Sequence, residues 1–231
     1  MGIETQSQPS PPAQAGNWKK GIFISLFIVA LSFLYAFLRY NVVRNVPYEQ
    51  IPLFISNKVF ALSSLIIIGS AFLLGPLAGF FPKTFLPKLY LRKPLGLIGF
   101  GVAALHSFIS LAILNPSYYP KLFDASGKLN FVGETSLLFG ILAFAVFSIT
   151  AISSIPAIEE RMRPEQWKRI QRLGYLVYFF VLMHVAIMGF KGWFDPASYK
   201  YGLVSISLIS VLFIIFVFIL RILAGVFKKK N

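Results

Sequence analysis

Two histidines, His106 and His184, are the only imidazoles in this chain, and the chain has no cysteine. Each lies within a long apolar run: His106 inside Leu95 to Asn115, and His184 inside Leu173 to Phe190. An ionisable group at such a position is costly and marks function. The missing cysteines exclude disulfides, thiolate metal sites and thiol nucleophiles. A zinc site would lack two of its four ligands, because no Asp or Glu falls at the depth of the histidines. Three uses of an imidazole remain: an interhelical hydrogen bond, a step in a proton path, or a nitrogen ligand to iron.

Spacing separates these uses. His106 is 11 residues past Leu95 and His184 is 11 residues past Leu173. At 1.5 Å rise per residue, each imidazole sits about 16 Å from the edge where its span begins. In a hydrocarbon core of about 30 Å, that is the middle or slightly beyond it. If both spans run in the same direction, the two side chains meet at one level. Gly96, Gly99, Ala103 and His106 follow i, i+3, i+7, i+10 and share a stripe. Gly174, Val177, Val181, His184 and Met188 form the stripe on the other span. Small residues beside a pair of facing nitrogens suit a flat, bulky porphyrin with one ligand from each side. The plain alternative is close packing of small residues between membrane helices.

The elements that carry the histidines belong to a chain of 231 residues that is 57% hydrophobic and only 13% charged. A soluble domain carries about a quarter charged residues, and several runs here reach the roughly 20 apolar residues that cross a bilayer. The expected fold is all-α, a bundle of six transmembrane helices over about 21–38, 59–81, 95–115, 135–155, 173–190 and 203–227. Gly75-Pro76 lies inside the second span, where a bend is expected. The formal net charge is +14. The basic residues fall in short loops, as the positive-inside rule requires, so no nucleic-acid partner is inferred. The loops after spans 2 and 4 and both ends carry most of the Lys and Arg, which places both termini in the cytoplasm. Residues 1–18 read as a disordered, Pro-rich cytoplasmic tail. Residues 19–227 read as the haem-binding transmembrane domain, and 228–231 as a basic cytoplasmic end. The first apolar run lacks a cleavage site and reads as a retained span.

Arg92-Lys93-Pro94-Leu95-Gly96 with His106 in AALHSF, and Trp167 followed by RIQRLGYLVYFFVLMH, resemble the two haem helices of the ferric reductase-like transmembrane domain family. The resemblance covers about Arg92 to Trp193. Within that family it resembles haem-binding membrane subunits of the MsrQ/YedZ type, and it is also similar to membrane domains of STEAP-type metalloreductases. The family's usual first histidine on the second helix falls on Gln171, 13 residues before His184. The position 13 residues before His106 is Lys93. Two-haem relatives place a second histidine pair at about that spacing, so the resemblance implies one haem here, in the outer half. The STEAP likeness implies a flavin (FMN or FAD) on the cytoplasmic side, near Gln171, Lys93 and Arg172. A solvated basic loop is the competing reading of those three residues.

The expected function is therefore that of a b-type cytochrome subunit of an oxidoreductase. It would relay single electrons through one bis-histidine haem b, with His106 and His184 on the iron and Gly96, Gly99, Ala103, Gln171 and Arg172 beside the cofactors. No dinucleotide-binding Gly fingerprint is present, so the donor is a separate flavoprotein, a bound flavin or quinol. The acceptor is an outer-side redox partner or a metal ion. Arg39, Arg44 and Lys191 are candidates for the haem propionates, each with a plain role as an interfacial anchor. Spans 1 and 6 present apolar faces to lipid or to a larger complex. The expected location is the bacterial inner (cytoplasmic) membrane, as an integral multi-pass protein. The competing function is a haem-free integral subunit or small transporter with packing or proton-relay histidines.

Overall fold

The computed structural model describes residues 12–195, 197 and 199–230. Six long helices make up the bundle: α1 (Pro12–Phe37), α2 (Ser56–Phe80), α3 (Arg92–Ala112), α4 (Phe131–Ile152), α5 (Pro164–Trp193) and α6 (Ile206–Lys230). All six are long and apolar enough to cross a membrane, and the protein is an integral, multi-pass membrane protein. Among the described residues no strand forms beyond a single bridge between Phe123 and Leu129. Short helical turns at Pro82–Phe85, Leu86–Leu91 and Pro156–Glu159 close the end of the bundle that carries most of the basic loop residues. That end is termed the basic end, and the opposite one the far end.

The helix limits follow from local chemistry. Asn130 accepts from the Gly133 N–H and caps α4. Pro164 starts α5, with the Arg163 N–H donating to Gln166 Oε1 at 3.1 Å. The expected loop ahead of span 5 is therefore shorter than the sequence suggests, because residues 164–172 form the first turns of α5. α1 likewise begins at Pro12, inside the stretch expected to be a tail. Residues 1–11 of that stretch lie outside the described residues. Pro76 lies inside α2, as expected. Serines within the apolar helices bond back one turn, as Ser63 to Val59 O, Ser70 to Ile66 O and Ser148 to Phe144 O. Hydroxyls satisfied in this way can sit in hydrocarbon at little cost.

α2 is the central element. It packs along α1, α3 and α6, while α5 packs along α4 and α6. A core of Leu65, Ile68, Ala143, Phe147, Val177, Tyr178, Ile214 and Val217 joins α2, α4, α5 and α6. The Tyr178 hydroxyl donates to the Leu65 carbonyl, and its position is tight against Gly69. Burial of these side chains contributes on the order of 1.5–3 kcal/mol each on a water-transfer scale, but in lipid close packing replaces that driving force. Glycine at 69 matters for that reason: a Cβ there would collide with Tyr178 and Phe213. α3 and α5, the two histidine helices, share no extended contact.

Candidate functional site

Each histidine is turned by a neighbouring helix. His106 Nδ1 lies 2.7 Å from Asn57 Oδ1 and 3.2 Å from the Asn57 carbonyl at the start of α2. His184 Nδ1 lies 2.8 Å from the Ser136 carbonyl on α4. A carbonyl oxygen can only accept, so Nδ1 carries the proton on both rings. Both Nε2 atoms are then bare lone pairs, and no described residue bonds either of them. A neutral imidazole with Nδ1–H held by the protein and Nε2 left free is the form that ligates a metal.

The polar partners are themselves fixed. Asn57 is 2% exposed, and its Nδ2 donates to Ser110 Oγ and to the Tyr119 hydroxyl, both at 2.9 Å. Ser136 is also buried, with its hydroxyl 3.0 Å from His184 Nδ1. Gly140, one turn along α4, makes room for the ring: a Cβ there would lie 3.1 Å from His184 Nδ1. Burial raises the pKa of the Tyr119 phenol, in the loop outside the spans, and the Asn57 hydrogen bond offsets part of this. The residues fit a porphyrin by donor set, with one Nε2 unpartnered among the described residues on each of two helices that share no extended contact. When bound, a haem supplies a one-electron redox centre.

The other expected site residues divide between this layer and the packing. Ala103 sits at the edge of the main core. Gly99 faces α2, where a Cβ would strike Ile68, and Gly174 faces Phe72 of α2 in the same manner. Both are therefore close-packing glycines against the central helix. Val177 is buried in the main core, Val181 packs against it, and Met188 is exposed. Of the propionate candidates, Arg39 is buried at the end of α1, with Nε unpartnered and its guanidinium 5.8 Å from the Tyr40 ring centre. Arg44 lines a small far-end pocket with Asn45 and Lys200, and Lys191 is exposed on the last turn of α5.

Toward the basic end lies a cavity of about 560 Å³. Gly96, Lys93, Gln171 and Arg172 line it, together with Arg92, Lys168, Arg221, Trp167 and Tyr175. Gln171 is not part of a solvated loop: its Nε2 donates to Thr150 O, Ser153 Oγ and Ser154 Oγ at 2.9–3.1 Å. Lys93 pairs with Glu159 at 2.5 Å. The Trp167 indole nitrogen is buried with no hydrogen-bond partner. Excess cationic side chains and an orphan N–H suit an anionic, acceptor-rich group with a flat ring system, which is the chemistry of a flavin nucleotide. Sequence reasoning did not single out Asn57, Ser136, Gly140 or Arg221, and Trp167 entered it only as the start of the second helix motif.

Two comparisons bear on this arrangement. The family described as "Ferric reductase like transmembrane component" matches residues 59–183, which include His106 and stop one residue short of His184. "Metalloreductase STEAP2" of Homo sapiens is 25% identical over 215 residues, covering 80% of this chain and 44% of the relative. The Mus musculus protein of the same name gives the same identity and coverage. "Metalloreductase STEAP3" of Rattus norvegicus is 25% identical over 212 residues, covering 76% of this chain and 43% of the relative. The chain thus spans less than half the length of these relatives. With the match extending over more than half of its residues, the chain belongs to the ferric reductase-like transmembrane component family.

Proposed function

We propose that this protein relays single electrons across a membrane through one haem b, held between His106 and His184. The observation that carries this reading is the matched state of the two rings: each Nδ1 is engaged by a carbonyl oxygen, and each Nε2 has no partner among the described residues. His106 and His184 would each hold the haem through one imidazole nitrogen, and the bound haem would supply outer-sphere, one-electron transfer. The chain's residues then act by position. Asn57 and Ser136 orient the ligands, Gly140 makes space, and Phe100, six residues before His106 on α3, stacks on Phe144 of α4 with ring centres 5.7 Å apart.

The donor side is the basic-end cavity, and a bound flavin (FMN or FAD) is the reading its residues favour. Arg92, Lys168, Arg172 and Arg221 would hold the phosphate charge, and Trp167 would donate to an acceptor atom. A separate flavoprotein or quinol is the alternative source of electrons. The basic end faces the cytoplasm by the positive-inside rule. The acceptor is on the far side, a redox partner or a metal ion, which agrees with the metalloreductase names of the relatives.

The test uses the full chain in liposomes with reductant sealed inside and impermeant ferricyanide outside. The account expects haem-dependent reduction of the outer ferricyanide in vesicles containing the wild-type chain, and none in vesicles containing His184→Ala. Equal rates in the two preparations would remove the electron-relay function.

A further inference from the structure

We propose that Asn57 is the positioning residue that sets the electronic character of the haem ligand His106, and with it the reduction potential of the site. This rests on the haem reading above. Asn57 precedes the stretch that the family description matches, so the comparison assigns it no role.

The two ligands are held by different chemistry. His184 donates to a main-chain carbonyl, which no side-chain substitution removes. His106 donates at its shortest distance, 2.7 Å, to a side-chain amide oxygen. The amide cannot rotate away, because its Nδ2 is committed to Ser110 Oγ and the Tyr119 hydroxyl. Tyr119 is in turn placed beside the Lys58 ammonium, which lies 4.2, 5.1 and 5.8 Å from the ring centres of Phe54, Tyr40 and Tyr119. The chain of contacts runs from the far-end loop through Tyr119 and Asn57 to the ligand nitrogen.

An acceptor on Nδ1–H pushes electron density toward Nε2 and makes it a stronger donor to iron. The oxidised state gains more from this than the reduced state, so the Asn57 bond holds the potential down. Removing it leaves Nδ1–H with the longer contacts to the Asn57 main chain at 3.2 Å and to Ser110 Oγ at 3.4 Å, and the ferrous state becomes easier to reach.

The test compares wild type, Asn57→Leu, Tyr119→Phe with Ser110→Ala, and Ser136→Ala. Each is purified from cells supplied with excess haem. Haem per chain, the midpoint potential by spectroelectrochemistry and the low-temperature EPR g values are recorded. For Asn57→Leu we expect bound haem with its reduced-to-oxidised ratio at a fixed potential raised about tenfold, or ~59 mV for one electron, and altered g values. Tyr119→Phe with Ser110→Ala keeps Asn57 but frees its amide and removes the 3.4 Å Ser110 Oγ contact to Nδ1, and should shift the potential the same way by less. Ser136→Ala keeps its carbonyl and should shift it least. Haem-loaded Asn57→Leu with an unchanged potential and unchanged g values overturns the inference while leaving the haem reading intact. If Asn57→Leu does not accumulate, an unmoved potential in the Tyr119/Ser110 double variant overturns it equally. A wild-type chain that binds no haem removes both.

Discussion

The histidine layer and the basic-end cavity occupy the same two helices, 13 residues apart, and are built in opposite ways. In the histidine layer, neighbouring helices bind the Nδ1 side of each ring and leave Nε2 free. In the lower layer the corresponding positions are Lys93 and Gln171, and both are spent on protein partners: Glu159 for the lysine, and Thr150, Ser153 and Ser154 for the amide. What stays open there is space, rimmed by cationic groups and an orphan indole N–H. On the proposed reading, one helix pair would offer a ligand set at one depth and a cavity for an anionic group at another. It also gives a physical reason why the proposed haem would be single, since neither lower position presents a free nitrogen lone pair.

The largest expected effect is at the upper layer. His106→Ala and His184→Ala should each abolish haem binding, read as loss of the b-type absorbance from chain that still purifies as a folded membrane protein. If either variant alone keeps full haem, the two-ligand site is wrong. Next is Gly140→Leu. Its side chain must enter the space of the His184 ring, so a destabilisation on the order of 1–3 kcal/mol from overpacking is expected. Haem occupancy should fall with it, whereas Gly75→Ala, whose Cβ meets no neighbour within 4 Å, should leave occupancy unchanged.

Smaller effects probe the lower layer. Trp167→Phe should weaken flavin binding roughly 2–10-fold, the value of one neutral hydrogen bond, as measured by fluorescence titration with FMN and FAD. No flavin affinity in either form would leave a separate donor in its place. The smallest effect is expected for Gln171→His. Haem should remain at one per chain by pyridine haemochrome, because Lys93 opposite still pairs with Glu159 and supplies no second ligand. A second haem in this single variant would break the contrast between the layers.

Much of this was legible in the sequence. Runs of apolar residues near bilayer length set the six helices, and two lone imidazoles at equal depth marked the upper layer. The helical stripes were less informative, because periodicity gives a shared face but not the element it faces. Gly99 and Gly174 share stripes with the histidines yet close onto Ile68 and Phe72, since α2 is the central helix. The partners of the rings come from other elements entirely. Asn57 carried a signal, as an amide at the head of an apolar span, and Ser136 and Gly140 carried another, one turn apart in span 4. Only tertiary placement connects them to His106 and His184. Gln171 looked solvated because its neighbours are Lys168, Arg169 and Arg172, yet in the folded chain its amide satisfies the last turn of α4.

The most direct measurement is a reduced-minus-oxidised visible spectrum of the detergent-purified chain, expressed with ample haem, with haem quantified per chain. The account predicts a sharp, low-spin b-type signal at one haem per chain. No haem under those conditions would contradict it, and would return both histidines to packing or proton-relay roles.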